Sequence, residues 1–259
     1  MRTSSGNEVT INDVVRFLDR LLGTAKIKDA SVNGLQVKSK NRSGIANIGF
    51  AVDADLATIA LAKLVGVELL VVHHGIAWRP QKSRDLEQKR SGLLKKNNMA
   101  LYAAHLPLDL HGEYGNNIQL SRLLGLTRIR KFGLYHGVRI GYAGVLGTAV
   151  PLKSIAEALD RGLDTQCRVM RFGRERVRSV GIISGGGGSM LQEAVAEKLD
   201  CFIVGEMDLA VYNAARDQGM NLIAAGHYAS ETLGIKALMP AIREAFNVRT
   251  IFVDEPKDW

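Results

Sequence analysis

The chain has 259 residues, 46% of them hydrophobic and 23% charged, an ordinary globular composition that excludes disorder over most of its length. Its 34 Lys and Arg outnumber its 26 Asp and Glu, but the positive residues are spread along the chain rather than gathered in one basic tail. Only two cysteines are present, Cys167 and Cys201, and no segment has the apolar core of a signal peptide or of a membrane span, so we expect a cytoplasmic protein without a disulfide framework.

The first half of the chain alternates between predicted helices and strands. Apolar residues at helical spacing predict an amphipathic helix in INDVVRFLDRLLG, closed by Gly23. The Asn33-Gly34 dipeptide predicts a turn between extended segments. A strand in NIGFAVDA, a helix in DLATIALAKLVG and a buried strand in VELLVVHHG then form a βαβ unit. With the strand ALYAAHLPLD and the helix NNIQLSRLLGL, these elements predict an α/β lobe over residues 1–126.

The second half repeats this alternation and predicts another α/β lobe over residues 127–259. Strands are expected in GYAGVLG, VRSVGIISGGGG, DCFIVGE, MNLIAAGH and, at the end, VRTIFVDE. Helices are expected in PLKSIAEALDRGL, SMLQEAVAEKL, DLAVYNAARDQG and SETLGIKALMPAIREAF. The predicted fold class is therefore α/β, with two lobes whose parallel or mixed sheets are flanked by helices.

Residues that can bind metal ions follow three of the predicted strands. They are His73, His74, His105, Asp109, His227 and Glu231. A single histidine in such a place is usually structural, but the carboxyl ends of parallel strands are where functional residues of α/β sheets collect. Imidazole and carboxylate are ligands for zinc, iron, manganese or nickel, and this set suffices for two ions that share an activated water.

The spacing of these residues supports a metal site. If the segment after residue 226 is helical, His227 and Glu231 lie one turn apart on the same face. Gly75 lets the chain leave the sheet, so that His73 and His74 can turn toward two different cations.

Two features predict contacts with phosphate groups. Five arginines within eleven residues are the better candidates for anion contacts: Arg168, Arg171, Arg174, Arg176 and Arg178. The loop SGGGGS, residues 184–189, has Ser189 and Gln192 at capping-box spacing, and its backbone amides could hold a phosphate. A tight turn from strand to helix explains the glycines equally well.

Six motifs resemble those of a known family over nearly the whole chain. NGLQV, VVHHG, AAHLPLD, IISGGGGS, IVGE and GHYASETLGIKAL occur in this order in the dinuclear-metal family named for Ngg-one interacting factor three, many of whose members are called GTP cyclohydrolase type 2 homologues. The chain is similar to the short form, which lacks a domain that longer members insert between the lobes. The resemblance implies two lobes that face each other across a metal site and assemble as a toroidal homohexamer.

The resemblance also implies roles for single residues. Two divalent ions would be bound by His73, His74, Asp109, His227 and Glu231. Glu231 and Asp109 are the candidates for bridging the two ions. His105 would lie behind the ligands or transfer protons, and is the candidate catalytic residue.

The leading hypothesis is a metal-dependent hydrolase acting on a nucleotide-like or other phosphorylated small molecule. The candidate substrate-binding residues are Asn33, Arg168, Arg171, Arg174, Gly186 and Gly187. One alternative is a non-enzymatic metal carrier or regulatory interaction protein. Another is a ring that encloses nucleic acid, which the net positive charge favours and the low aromatic content of 6% disfavours. Whether the protein is an enzyme, which metal it binds and which substrate it uses stay open at this point.

Overall fold

The computed structural model divides the chain into two compact units. It describes residues 8–40, 44–81 and 83–257. The first unit consists of Met1–Pro107 and Ile235–Glu255, and the second of Leu108–Gly234 and Pro256–Trp259. Each unit contains one sheet with helices packed against it, so the predicted α/β class is confirmed.

Helices and strands alternate along most of the described residues. The helices are α1 (Ile11–Leu22), α2 (Leu56–Leu64), α3 (Arg84–Lys96), α4 (Leu106–Leu110), α5 (Asn116–Leu123), α6 (Leu152–Leu163), α7 (Leu191–Ala196), α8 (Leu209–Asp217) and α9 (His227–Phe246). The strands are β1 (Gly34–Val37), β2 (Asn47–Asp53), β3 (Leu69–His74), β4 (Ala100–Ala103), β5 (Thr127–Tyr135), β6 (Val138–Pro151), β7 (Arg168–Met170), β8 (Arg176–Ile183), β9 (Cys201–Val204), β10 (Asn221–Ala224) and β11 (Arg249–Phe252). None of the helices in this part of the chain is long and apolar enough to cross a membrane.

Helix α1 shows how local sequence sets an element's bounds. The Thr10 hydroxyl accepts a hydrogen bond from the Asp13 N–H, and the Asp13 carboxylate accepts one from the Thr10 N–H, which together form a capping box. Gly23 adopts a left-handed conformation with φ of 62° and ends the helix. Val14 and Leu18 of its apolar stripe are fully buried. The helix predicted from the 3.6-residue periodicity is thus confirmed.

The sheet of the first unit has the strand order β1-β4-β3-β2-β11. All neighbouring strands are parallel except β1, which is antiparallel to β4. Asp53 and His74 are register partners where β2 and β3 end, so their side chains leave the sheet at the same edge. The apolar run that precedes His74 is buried, as a central parallel strand requires.

The sheet of the second unit has the strand order β5-β6-β8-β9-β10-β7. Its three central strands, β8, β9 and β10, are parallel, and the outer pairings are antiparallel. Val180, Ile203 and Ile223 come from these strands and form part of one buried apolar cluster. The chain leaves their carboxyl ends at Ser184, Gly205 and Ala225, which places the loops that follow at one edge of the sheet.

The position of the last strand differs from the sequence-based expectation. VRTIFVDE was predicted within the second lobe, but β11 pairs in parallel with β2 and so completes the first sheet. The packing changes at Pro107 and the chain returns to the first unit at Ile235, whereas the sequence placed a single boundary after residue 126. Periodicity identifies a strand, but it carries no information about which sheet that strand joins.

Candidate functional site

Three histidines lie close together in the first unit. His73 and His74 end strand β3, and His105 follows the neighbouring strand β4. The ring centroids of His73 and His74 are 4.6 Å apart, and those of His73 and His105 are 5.0 Å apart. One ligand nitrogen from each residue lies within 4.8 Å of the others. The structure therefore brings two predicted metal ligands together with the predicted catalytic histidine.

The first two rings are oriented by fixed acceptors. The Nδ1 of His73 lies 3.0 Å from the carbonyl oxygen of Ala104, and because a carbonyl only accepts, this nitrogen donates. The Nδ1 of His74 lies 3.0 Å from Oδ1 of Asp53 and donates in the same way. In the neutral tautomer the lone pair of each ring then lies on Nε2. This is the arrangement found around histidines that bind metals, in which a second group holds the other ring nitrogen.

His105 is held by the carboxylate of Asp29. Its Nδ1 lies 2.9 Å from Oδ1 of Asp29, whose side chain is only 2% exposed. Burial alone would raise the pKa of Asp29, but hydrogen bonds from His105, Asn33 and the Leu106 N–H hold it at about 2. Asp29 is therefore ionised at neutral pH, and its hydrogen bond fixes the orientation of the His105 ring.

Asn33 lies behind this histidine. Its Nδ2 donates to Asp29 over 2.9 Å, and its Oδ1 accepts a hydrogen bond of 2.8 Å from the His105 N–H. The amide of Asn33 thus connects His105 to the carboxylate of Asp29. A contact between Asn33 and a substrate stays a prediction.

We expect Asp29→Asn to weaken metal binding by about 10- to 100-fold, the usual effect of losing a group that orients a metal-binding histidine. The asparagine keeps a similar shape but removes the negative charge next to Nδ1 of His105. Competition with a chelator of known affinity measures the change. Asp19→Asn is the matched control, because Asp19 accepts from the hydroxyls of Tyr102 and Thr24 in the same unit rather than from a histidine. Equal metal affinities for the two variants would contradict the expectation.

In the second unit, His227 lies between two glutamates. It is the first residue of α9, and its Nε2 is 3.3 Å from Oε2 of Glu231, one turn further on. Its Nδ1 is 3.1 Å from Oε2 of Glu206. The predicted helical spacing of His227 and Glu231 is confirmed. Burial alone would lower the pKa of His227, but the hydrogen bonds and negative charges of Glu231 and Glu206 raise it to about 9.

The glycine loop passes directly against this pair. Gly185 has φ of 59°, and a Cβ there would overlap Oε1 of Glu231 and lie 3.0 Å from Nε2 of His227. Its N–H donates to the Ser230 hydroxyl, and its carbonyl accepts from the Glu206 N–H over 2.9 Å. The absence of a side chain at Gly185 therefore permits the close approach of the backbone to Glu231 and His227.

The predicted capping box after this loop is wrong. Helix α7 begins at Leu191 with Met190 as its N-cap, and no side chain caps it, because a 3₁₀ turn over Gly187–Met190 comes first. Gly186 is exposed, whereas Gly187 is buried against Ile183. Their predicted contacts with phosphate stay a prediction.

Asp109 is fixed by a buried polar network. Its Oδ1 accepts from Nδ2 of Asn116 over 2.9 Å and from the Ser184 hydroxyl over 3.2 Å. Asn116 in turn accepts a hydrogen bond of 2.8 Å from the Gly234 N–H. These contacts connect α5, the end of β8 and helix α9 to one carboxylate, which limits the freedom of Asp109 to move.

The structure separates most of the predicted anion-binding arginines from His227. Arg168 is the register partner of Ala224 at the carboxyl end of β10. Strand β7 runs antiparallel to β10, so Arg171 and Arg174 lie beyond the opposite end, where Asn221 accepts from the Gly173 N–H. All three arginines are exposed. Of these, only Arg168 belongs to the edge of the sheet from which His227 emerges.

Sequence reasoning missed the carboxylates that orient the histidines. Asp53 ends a parallel strand beside the strand of His74, a position where functional side chains of α/β sheets collect, so its place was predictable. Glu206 stands in the IVGE motif, but its role was not assigned. Asp29 comes from an irregular segment before β1, and no local pattern indicates it.

Comparison with known proteins extends over almost the entire chain. Residues 9–258 match the family described as Duf34/NIF3 (NGG1p interacting factor 3). A GTP cyclohydrolase 1 type 2 homolog from Pyrococcus abyssi (strain GE5 / Orsay) is 45% identical over 246 residues, which cover 94% of this chain and 97% of that relative.

Solved structures agree with this match. The protein ybgI, described as of unknown function, has a TM-score of 0.87 and 32% identity, covering 95% of this chain and 98% of its own. TTHA1606 from Thermus thermophilus has a TM-score of 0.84 and 34% identity, covering 96% of this chain and 99% of its own. The fold is thus shared with both proteins over at least 95% of this chain.

Proposed function

Because the chain belongs to the Duf34/NIF3 family, we propose that it binds two divalent metal ions and uses them to hydrolyse a nucleotide-like or other phosphorylated small molecule. The proposed ligands are His73, His74, Asp109, His227 and Glu231. The observation that carries the proposal is the set of three histidine rings in the first unit, each with its Nδ1 hydrogen-bonded to a fixed oxygen.

The residues present fit metal ions. Neutral imidazole and carboxylate are the donors that zinc, iron, manganese and nickel accept. In the first unit each ring offers the lone pair of Nε2, because Nδ1 donates to Ala104, Asp53 or Asp29. In the second unit Glu231 is buried at 3% exposure beside His227, and a bound cation would offset the cost of burying its negative charge.

Two divalent ions, when bound, would stabilise negative charge that develops on the substrate and lower the pKa of water. His105 then has two possible roles: a third imidazole ligand beside His73 and His74, or the proton-transfer residue expected from the sequence. Its contact with Asp29 serves both, since a carboxylate on Nδ1 fixes the orientation of the ring. Arg168, exposed at the carboxyl end of its sheet, is the arginine best placed for an anionic group.

The test combines metal content with turnover. Mass spectrometry of the purified protein should find about two first-row ions per chain, and a screen of nucleotides should then find metal-dependent release of a product. A well-folded protein that takes up no divalent ion would overturn the site. Two ions that exchange rapidly without any turnover would instead support a metal carrier.

Metal uptake should depend on pH through His227. In the metal-free protein its pKa is raised to about 9, so binding of an ion at Nε2 must release a proton. We expect the apparent metal affinity to rise about tenfold per pH unit between about pH 7 and about pH 8.5. A histidine of ordinary pKa is already neutral in this range and would give no such rise.

Chelator competition at several pH values measures this slope. Glu206→Gln removes one of the charges that raise the pKa of His227, so the slope should flatten at a lower pH in that variant. An affinity that does not change with pH in the unaltered protein would contradict the expectation.

A further inference from the structure

Gln36 interrupts the regular pairing of strand β1 with β4. Leu35 is the register partner of Tyr102 and Val37 is that of Leu101, so Gln36 is an extra residue between two consecutive pairs. This arrangement is a β-bulge, a feature that turns a side chain away from its regular direction and is frequent beside active sites. The bulge therefore gives the side chain of Gln36 a direction that a regular strand would not.

The amide of Gln36 holds the loop that follows strand β3. Its Oε1 accepts hydrogen bonds from the Ile76 N–H over 2.7 Å and from the Ala77 N–H over 3.2 Å. Its Nε2 donates to the carbonyl oxygen of Val32 over 2.6 Å. Because β4 lies between β1 and β3 in the sheet, this side chain reaches past one strand to bind the loop that leaves the next.

Gly75 leaves the space that this amide fills. A Cβ on Gly75 would overlap Nε2, Oε1 and Cδ of Gln36. The φ of Gly75 lies outside the left-handed region, so space rather than backbone conformation requires glycine there. Gly75 directly follows His74 in the chain. The amide therefore packs against the backbone next to a proposed metal ligand.

The same amide connects two segments that carry or orient the histidines. Val32 belongs to the segment before β1 that holds His105 through hydrogen bonds. The Val32 carbonyl accepts from Gln36, and its N–H donates to the Ala77 carbonyl over 3.0 Å. The loop after His74 and the segment behind His105 are thus joined as one hydrogen-bonded unit, with Gln36 bonded to both.

We propose that Gln36 is a positioning residue of the metal site, which sets the distance between His74 and His105 by tying the loop after β3 to the segment before β1. The role rests on the proposed function and adds to it a residue that acts through the backbone rather than as a ligand. Ligands of a metal ion must be held to within about 0.5 Å, so a loosened loop weakens the site even when every ligand is present.

Imidazole signals of the metal-free protein test this role without any ion. Gln36→Ala removes the amide and leaves the histidines in the chain. We expect nitrogen-15 NMR to show shifted or broadened ring signals for His74 and His105, because the loop and the segment that Gln36 joins are no longer held together.

Asn98→Ala is the comparison variant. The Asn98 side chain also accepts two hydrogen bonds, from the Ser39 hydroxyl over 2.9 Å and from the Lys40 N–H over 2.8 Å. It precedes β4, however, and so lies at the end of that strand opposite to His105. This variant should lose stability to urea but keep the histidine ring signals of the unaltered protein.

Cobalt(II) measures the loaded site, since its visible absorption spectrum depends on coordination geometry. In Gln36→Ala we expect an altered spectrum and an affinity about tenfold lower by chelator competition, with neither change in Asn98→Ala. Gly75→Ala should show a similar loss, because its Cβ displaces the amide. Adding Gly75→Ala to Gln36→Ala should cost no further affinity, because the overlapping atoms are gone.

The two measurements separate this role from the proposed function. Ring signals of His74 and His105 that stay unchanged in Gln36→Ala would overturn the positioning role, whatever the metal content. Failure of the unaltered protein to take up cobalt would overturn the proposed function, and the metal-free NMR comparison would still decide whether Gln36 positions the two rings.

Discussion

Glu231→Gln should lose at least about 100-fold in metal affinity, more than the loss typical of a group that only orients a ligand. The side chain is 3% exposed, and its Oε2 faces Nε2 of His227 at 3.3 Å. Glutamine has nearly the same shape but lacks the negative charge and the second oxygen. The fold should persist, because Glu206 still faces the His227 ring and that ring can become neutral once the charge of Glu231 is removed.

The matched control for this variant is Glu206→Gln. Glu206 faces the other nitrogen of the same ring at 3.1 Å, so its loss should leave the ligands in place and weaken binding only about 10- to 100-fold. Metal content by mass spectrometry and chelator competition measure both effects. If Glu231→Gln retained two ions at the affinity of the unaltered protein, Glu231 would not be a ligand.

Gly185→Ala should destabilise the protein by about 2 to 4 kcal/mol or displace the Glu231 carboxylate with loss of metal. The residue has φ of 59°, where a side chain is strained, and the new Cβ would overlap Oε1 of Glu231. The backbone cannot retreat, because Gly205 packs against it so closely that a Cβ on Gly205 would lie 2.5 Å from the Gly185 nitrogen.

Gly186→Ala is a close control for this prediction. At that position the nearest atom to an added Cβ is Oε1 of Glu206 at 3.7 Å, an ordinary contact, and φ is negative. Its stability should change by no more than about 0.5 kcal/mol. Urea unfolding together with metal content compares the two variants. Equal stability and equal metal content would show that the loop does not need glycine at residue 185.

Strand ends were the most predictable part of the candidate site. The apolar run before His73 and His74 predicts a buried parallel strand, and α/β sheets place functional residues where such strands end. The proximity of His227 and Glu231 was also predictable. One helical turn sets the distance between these two side chains, whatever surrounds them.

Longer-range features were not predictable from local patterns. Asp29 reaches His105 across 76 residues, and only tertiary folding brings these two side chains together. The arginine cluster looked like one anion site because its members are near in sequence, but the direction of β7 spreads Arg168 and Arg174 toward opposite ends of the sheet. The sequence distance between charged residues therefore says little about where their charges act.

The pairing of β11 with β2 has a consequence for biosynthesis. Residues 108–234 of the second unit are made as one continuous stretch, whereas the first unit lacks its last strand until residues 249–252 have left the ribosome. During that interval β2, with the buried Phe50, forms an open edge of its sheet, the kind of surface that invites pairing with another chain. The amino-terminal part of the protein is thus synthesised first but completed last.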